Sequence, residues 1–255
     1  MKHFHLLIMI LLLSVANMYI DSIKNELFKD YDCIDFNKEY GFKSVIQYWS
    51  QFADEHKINY SISDGTLLGW LREKGEFIGF DGDMDAMVDE EGVQKIIQLA
   101  KDPNEKRVIF TKDLKSELEK AEWKPNEIKI LVIFEDYYID CNGDRVDKYK
   151  GTCSLGMPKW GGGELYGRVV YNNYKNRKFH LDLFSKKKYI DYFNKGTTDC
   201  ILEGIKTKRF VDTDNYIKKR YGEHWNTPWK KCDKETGKWY KNKQSPHYAN
   251  DPDAR

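Results

Sequence analysis

The sequence predicts an α/β fold, an α+β arrangement of helices and strands around one mixed sheet. Segments with the period of a helix and segments with the alternation of a strand follow one another along much of the 255 residues. Hydrophobic residues make up 40% of the chain and aromatic residues 15%, a content that disordered proteins lack. We therefore expect one folded domain with a sizeable core and short appendages.

Each predicted element rests on its own pattern. Apolar residues recur at helical spacing over residues 37–56, residues 58–63 alternate as in a strand, and helical character resumes at residues 66–73. Asn142-Gly143-Asp144 predicts a hairpin turn. We also expect strands at 80–88, 108–111, 128–139 and 179–184, and helices at 93–100 and 212–221.

The charge of the chain is balanced. Lys and Arg number 42 and Asp and Glu 41, which leaves a formal net charge of +1. A nucleic-acid-binding domain usually carries a clear basic excess. We therefore expect no nucleic-acid partner.

The first twenty residues have the pattern of a targeting segment. Lys2 precedes the apolar run Leu6–Leu13, and Ser14-Val15-Ala16 supplies small residues for cleavage, as in a secretory signal peptide. The alternative is an uncleaved anchor over residues 4–20, which is short for a bilayer that needs about 20 apolar residues. We assign residues 1–20 to a signal peptide or short signal anchor. The protein is then expected in the ER or Golgi lumen or outside the cell, with membrane contact only through such an anchor.

The five cysteines lack the spacing of a zinc site, because none forms a Cys-x-x-Cys pair. In an oxidising compartment they allow up to two disulfides. Cys141 and Cys153 flank the expected hairpin and are our first choice of pair. Five free buried thiols are the alternative.

Three aspartates alternate at Asp81, Asp83 and Asp85. In a strand their side chains would share one face, where they repel each other unless a cation neutralises them or one holds a proton. Oxygen ligands favour Mg²⁺ or Mn²⁺. An acidic surface strand is the alternative. An EF-hand does not fit, because Ala86 stands where that loop needs Gly, and Gly92 where it needs Glu.

Two further features point to the same site. Asp182 lies between Leu181 and Leu183 in an expected strand, so its side chain lies on the opposite face of the sheet, where a neighbouring strand could carry Asp83 and Asp85. At the start of the helix at 66–73, the turn containing Gly65 and Thr66 presents backbone amides that attract phosphate. Arg72 could reach a phosphate with its forked guanidinium, or pair with Glu76 or an aspartate of the cluster.

These residues together resemble the LicD/fukutin family. Its signature is matched in order and spacing by Gly65-Thr66-Leu67-Leu68-Gly69, Arg72 and Asp81-Gly82-Asp83-Met84-Asp85. Gly79 and Phe80 stand where the family has Pro and Trp. His180-Leu181-Asp182 and residues 220–228 resemble two later family segments. The resemblance spans about residues 58–230, with no residue-by-residue match over about 105–170.

The resemblance implies a nucleotidyltransferase-like single catalytic domain at residues 58–230, with an N-terminal helical region at 21–57 and a polar, Lys-rich tail at 231–255. It implies transfer of a phospho-alcohol, such as phosphocholine or ribitol phosphate, from a CDP-linked donor to a glycan hydroxyl, with release of CMP. Asp83, Asp85 and Asp182 would be catalytic, and with Asp81 would hold Mg²⁺ or Mn²⁺. Gly65, Thr66 and Arg72 would bind the donor's phosphates.

Two other functions stay open from the sequence. An Asp-x-Asp pair also holds nucleotide sugars in metal-dependent glycosyltransferases, which differ in making a glycosidic product. The other is a secreted, glycan-binding relative that kept the fold and lost activity. The adjacent carboxylates argue against that second alternative, because stability alone does not require them.

Overall fold

A computed structural model describes residues 33, 36–111, 123–133, 138–139, 145–146, 160–161, 166–173, 178–185, 189–233 and 235–245. The chain divides into two compact units, one of residues 36–226 and one of residues 1–35 with 227–255. Among the described residues, none of the helices combines the length and apolar character that a membrane span requires. The targeting segment expected at residues 1–20 lies outside the described residues.

The larger unit is built on a mixed sheet of six strands, which confirms the predicted α/β fold. In the order in which they lie across the sheet, these strands are β1 (Tyr60–Ile62), β2 (Met84–Val88), β9 (Lys178–Phe184), β8 (Tyr166–Asn172), β4 (Glu127–Ile133) and β3 (Val108–Phe110). The β2–β9 and β3–β4 pairs are parallel, and the other three pairs are antiparallel.

Smaller sheets complete this unit. Strands β5 (Tyr138–Ile139), β6 (Arg145–Val146) and β7 (Trp160–Gly161) form one sheet, and β10 (Thr197–Leu202) pairs with β11 (Ile205–Phe210) in another. Strands β5 and β6 are antiparallel, with Tyr138 opposite Val146, as a hairpin between them requires. The turn predicted at Asn142-Gly143-Asp144 itself lies outside the described residues.

The described residues form five helices in this unit: α1 (Phe36–Glu55), α2 (Asp64–Arg72), α3 (Glu90–Lys101), α4 (Ile190–Asn194) and α5 (Thr213–Tyr221). Helix α1 contacts β8, β9 and β11, and it buries Val45, Ile46 and Trp49 completely. These are the apolar positions whose helical spacing predicted the element, so burial of that face accounts for the helix.

The strand predicted at residues 80–88 is shorter than expected, because it begins only at Met84. Asp81 instead lies in a turn, in which its N–H bonds to Ile78 O (2.9 Å) and its Oδ1 accepts from the N–H of Gly82 (2.9 Å). The neighbouring strands pair only with residues 84–88. The expectation that Asp81, Asp83 and Asp85 share one strand face is therefore wrong: only Asp85 is in β2.

The smaller unit contains an antiparallel hairpin of β12 (Lys230–Cys232) and β13 (Trp239–Lys241). A disulfide joins Cys232 to Cys33, and Cys200 in the larger unit is free and buried. The expectation of five free thiols is therefore wrong. Cys141 and Cys153, the pair expected first, lie outside the described residues.

Candidate active site

Asp85 and Asp182 are direct neighbours in the sheet. The parallel register of β2 and β9 pairs these two residues, as it pairs Met84 with Leu181 and Ala86 with Leu183. These apolar neighbours are almost completely buried, so they anchor the opposite face of both strands in the core. The predicted meeting of Asp182 with a strand that carries an acidic residue is confirmed for Asp85.

Asp83 joins the same site from the loop before β2. Its carboxylate, a carboxylate oxygen of Asp182 and a ring nitrogen of His180 all lie within 4.8 Å of one another. His180 precedes Asp182 by two residues on β9, so the strand geometry places both side chains on one face. The sequence predicted only carboxylates for the metal site, and His180 is an additional candidate ligand that its two-residue spacing from Asp182 could have indicated.

Gly65 brings the start of α2 against the aspartates. A Cβ at this position would overlap Asp81 Oδ2 and would stand 3.9 Å from Asp85 Oδ2. The absence of a side chain therefore lets the first turn of the helix approach both carboxylates. Gly65, in the first turn of α2, thus lies against the carboxylates of Asp81 and Asp85.

Thr66 fixes β2 to the same helix. Its Oγ1 accepts a hydrogen bond from the backbone N–H of Asp85 (2.8 Å), and the Asp85 carbonyl accepts one from the N–H of Ser63 (2.9 Å). Thr66 is only 4% exposed. This hydrogen bond therefore positions the backbone of Asp85, and phosphate binding by the Thr66 hydroxyl stays a prediction.

Two arginines that the sequence reasoning did not select pair with aspartates of the site. Arg168 on β8 donates from Nε to Asp182 Oδ1 (2.5 Å) and from Nη2 to Oδ2 (3.2 Å). Arg220 on α5 donates from Nε to Asp64 Oδ1 (2.5 Å), at the start of α2. Arg220 belongs to a segment that resembles the family, whereas Arg168 comes from a stretch without such a match.

The site carries an excess of negative charge. We call Asp64, Asp81, Asp83, Asp85 and Asp182 the acidic cluster. Burial raises the pKa of Asp85 to about 9, with the other four members of the cluster adding to the effect. Burial also raises the pKa of Asp81 to about 6, followed by the charge of Asp83. Without a cation, Asp85 therefore holds a proton at neutral pH, as repulsion among neighbouring carboxylates requires.

The chemistry of the site fits a divalent cation. Oxygen and imidazole ligands from Asp83, His180 and Asp182 suit Mn²⁺, and carboxylates suit Mg²⁺. Burial, followed by the charge of Arg168, lowers the pKa of His180, which keeps the imidazole neutral and able to bind a metal. The donor set and the unbalanced charge of the acidic cluster therefore both favour a bound cation.

Arg72 does not meet the acidic cluster in the part of the chain that the structure describes. Its Nε donates to Glu73 Oε1 (2.6 Å), so the ion pair forms with Glu73 and not with Glu76. The side chain is 9% exposed, and Nη2 is buried with no hydrogen-bond partner among the described residues. A buried donor without a partner is uncommon in folded proteins.

Comparison with known families agrees with this geometry. Residues 57–143 match the model of the LicD/FKTN/FKRP nucleotidyltransferase domain. This stretch is a LicD-family domain. The match covers about a third of the chain and includes Gly65, Thr66, Arg72 and the aspartates at 81, 83 and 85. Among curated proteins, none matches the chain.

The LicD-family match covers only part of the candidate site. It ends before β8 and β9, the strands that supply Arg168, His180 and Asp182. The fold itself therefore brings these three residues to the matched domain. A transferase function of the nucleotidyl or phospho-alcohol class follows for the LicD-family domain in general.

Proposed function

We propose that the protein is a metal-dependent transferase that moves a phospho-alcohol from a CDP-linked donor to a glycan hydroxyl and releases CMP. The observation that carries the proposal is the convergence of Asp83, His180 and Asp182 beside Asp85 and the start of α2. One cation site and one set of helix amides thus lie next to each other, as a nucleotide diphosphate requires.

The residues that would hold Mg²⁺ or Mn²⁺ are Asp83, His180 and Asp182, with Asp81 and Asp85 as neighbouring carboxylates. When bound, such a cation offsets the charge of the diphosphate and the charge that develops on the transferred phosphoryl group. The fit rests on the donor atoms and on the unbalanced charge of the acidic cluster.

The first turn of α2 supplies the phosphate contacts. The N-cap Ser63 makes no side-chain cap hydrogen bond, so the first amides of the helix are not capped by that side chain. Such amides bind phosphate, and we assign those of the turn containing Gly65 and Thr66 to the donor's diphosphate. Arg72, with its buried Nη2, is the second phosphate contact that we propose. Thr66 acts through Asp85, whose backbone it holds.

The disulfide supports the cellular compartment that we propose. The disulfide between Cys33 and Cys232 is of a kind that persists in oxidising compartments. Together with the targeting segment expected at residues 1–20, it supports a place in the ER or Golgi lumen or outside the cell. A glycan is the acceptor that we propose for that setting, with the catalytic domain at residues 58–230.

The experiment that tests this function measures CMP release by the purified protein from CDP-choline, CDP-ethanolamine, CDP-ribitol and CDP-glycerol in the presence of Mn²⁺ and a glycan acceptor. We expect one donor to give CMP together with a phosphodiester-linked product. A glycosidic product from a nucleotide sugar would favour the glycosyltransferase. No binding of Mn²⁺ and of any donor would favour the inactive relative.

A further inference from the structure

Arg168 binds the carboxylate of Asp182, which the proposed cation also needs as a ligand. In the antiparallel register of β8 and β9, it stands directly opposite Asp182. Its guanidinium donates to both carboxylate oxygens, at 2.5 and 3.2 Å. The side chain of Asp182 is 9% exposed, so water and salt screen this pair far less than they would a surface pair.

Arg168 and Arg220 pair with different members of the acidic cluster. Arg220 neutralises Asp64, at the start of α2, and Arg168 neutralises Asp182. Within the described residues, no ion pair joins a basic side chain to Asp81, Asp83 or Asp85. Of the two arginines, therefore, only Arg168 pairs with a member of the metal-ligand group formed by Asp83, His180 and Asp182.

We propose that Arg168 is a positioning residue that sets the cation affinity of the site. It holds Asp182 in place and offsets its charge, so that the site alone binds a divalent cation weakly. The donor's diphosphate then draws the guanidinium away from Asp182 and releases the carboxylate to the cation. This inference rests on the proposed function, in that Asp182 must serve as a cation ligand.

The physical basis is competition between like charges. A guanidinium and a divalent cation repel each other when both approach one carboxylate, and at partly buried sites such repulsion changes affinity by about tenfold or more. Phosphate is a strong bidentate partner for arginine, so a diphosphate can compete with Asp182 for the guanidinium.

A residue that only orients a metal ligand would have the opposite effect on metal affinity. Partners that hydrogen-bond to a metal ligand usually strengthen metal binding, and their removal typically costs about 10–100-fold in affinity. If Arg168 only orients Asp182, its removal must weaken the site. If its charge competes with the cation, removal must strengthen it.

The test is calorimetric titration of the purified full-length protein with Mn²⁺ alone. We expect Arg168→Gln and Arg168→Met, which keep most of the side-chain stem, to bind Mn²⁺ about tenfold more tightly than the wild type. Arg168→Lys keeps the charge and should stay within about threefold of it. Arg107→Gln removes an arginine that pairs with Glu55 and Glu105 instead, and should not alter the affinity.

The outcomes separate this inference from the proposed function. Unchanged or weaker Mn²⁺ binding by folded Arg168→Gln or Arg168→Met would overturn the role of Arg168 and leave the proposed function standing. If both uncharged variants fail to fold, a tenfold loss of Mn²⁺ affinity in Arg168→Lys would overturn the role of Arg168. The bidentate geometry of the guanidinium, and not its charge, would then govern Mn²⁺ binding. If neither the wild type nor a folded uncharged variant binds Mn²⁺, with or without a CDP-alcohol donor, both proposals are refuted.

Discussion

Thr66 and Asp85, 19 residues apart in the sequence, are joined by a hydrogen bond of 2.8 Å from the backbone N–H of Asp85 to the threonine Oγ1. This bond links helix α2, whose first turn contains Gly65 and Thr66, to strand β2, which carries Asp85. It therefore holds together two motifs that are separate in the sequence, the Gly65-Thr66 turn and the acidic residues that begin at Asp81.

The first prediction concerns Thr66 itself. Thr66→Val keeps the shape of the side chain and leaves the N–H of Asp85 without its acceptor, which should lower the free energy of unfolding by about 1–3 kcal/mol. Transfer activity should fall, because Asp85 is no longer held. Thr66→Ser keeps the hydroxyl and should retain most of both. Chemical denaturation measures the stability, and equal stability of the Val variant and the wild type would show that the bond contributes nothing.

The second prediction concerns Gly65. In Gly65→Ala the new methyl group overlaps the Asp81 carboxylate, so we expect the affinity for Mn²⁺ to fall by about tenfold or more. Gly82→Ala is the matched control, because a Cβ at Gly82 meets no atom within 4 Å. Calorimetry of both variants decides: a Gly65→Ala protein that binds Mn²⁺ as the wild type does would contradict the close approach of α2.

The third prediction concerns pH. The pKa of the Asp85 carboxyl is about 9 in the folded, cation-free protein and about 3.9 in an unfolded chain. Between these values the folded state binds the extra proton, so the stability that this group contributes is complete below about pH 4 and is lost as the pH rises through 9. The cation-free protein should therefore become less stable from pH 5 to pH 9, and Mn²⁺ should stabilise it most at the upper end.

Asp85→Asn separates this effect from other titrations. The amide cannot ionise, so the variant should melt higher than the wild type at pH 8 without metal, by about 4 °C or more. Asp199→Asn is the control, because Asp199 is exposed and pairs with Lys206 on the neighbouring strand. Thermal denaturation at several pH values gives the answer. A wild type and an Asp85→Asn variant with parallel pH profiles would disprove the assignment of this titration to Asp85.

The fourth prediction concerns the buried guanidinium of Arg72. Its Nη2 lacks a hydrogen-bond partner among the described residues, and we assign it to the donor's phosphates. Arg72→Gln should therefore raise the KM for the donor by about tenfold or more and change kcat much less. Arg72→Lys should recover part of the loss. Steady-state kinetics measure both constants, and a fall in kcat at constant KM would place Arg72 outside the donor site.

Much of the fold could be predicted from the sequence. The alternation of residues 178–184 and the apolar spacing in the first helix come from burial of one face, which leaves a periodic pattern in the local sequence. Strand β2 is the exception, because the turn at Asp81 depends on backbone hydrogen bonds to Ile78 and Gly82 that hydrophobic alternation does not reveal.

The candidate site was less predictable than the fold. Asp182 could be chosen because it interrupts an apolar strand, and its register with Asp85 follows from that strand's place in the sheet. Arg168 left no such signal, since its role arises only from the antiparallel pairing of β8 and β9. The same holds for the disulfide between Cys33 and Cys232, whose partners are 199 residues apart.

The most direct test of the central claim is CMP release from the preferred CDP-alcohol by three full-length proteins in saturating Mn²⁺: the wild type, Asp85→Asn and Asp199→Asn. We predict that Asp199→Asn keeps the wild-type rate, while Asp85→Asn folds normally and loses at least about a hundredfold in kcat. Wild-type activity in the Asp85→Asn protein would contradict a reaction centred on the paired carboxylates of β2 and β9.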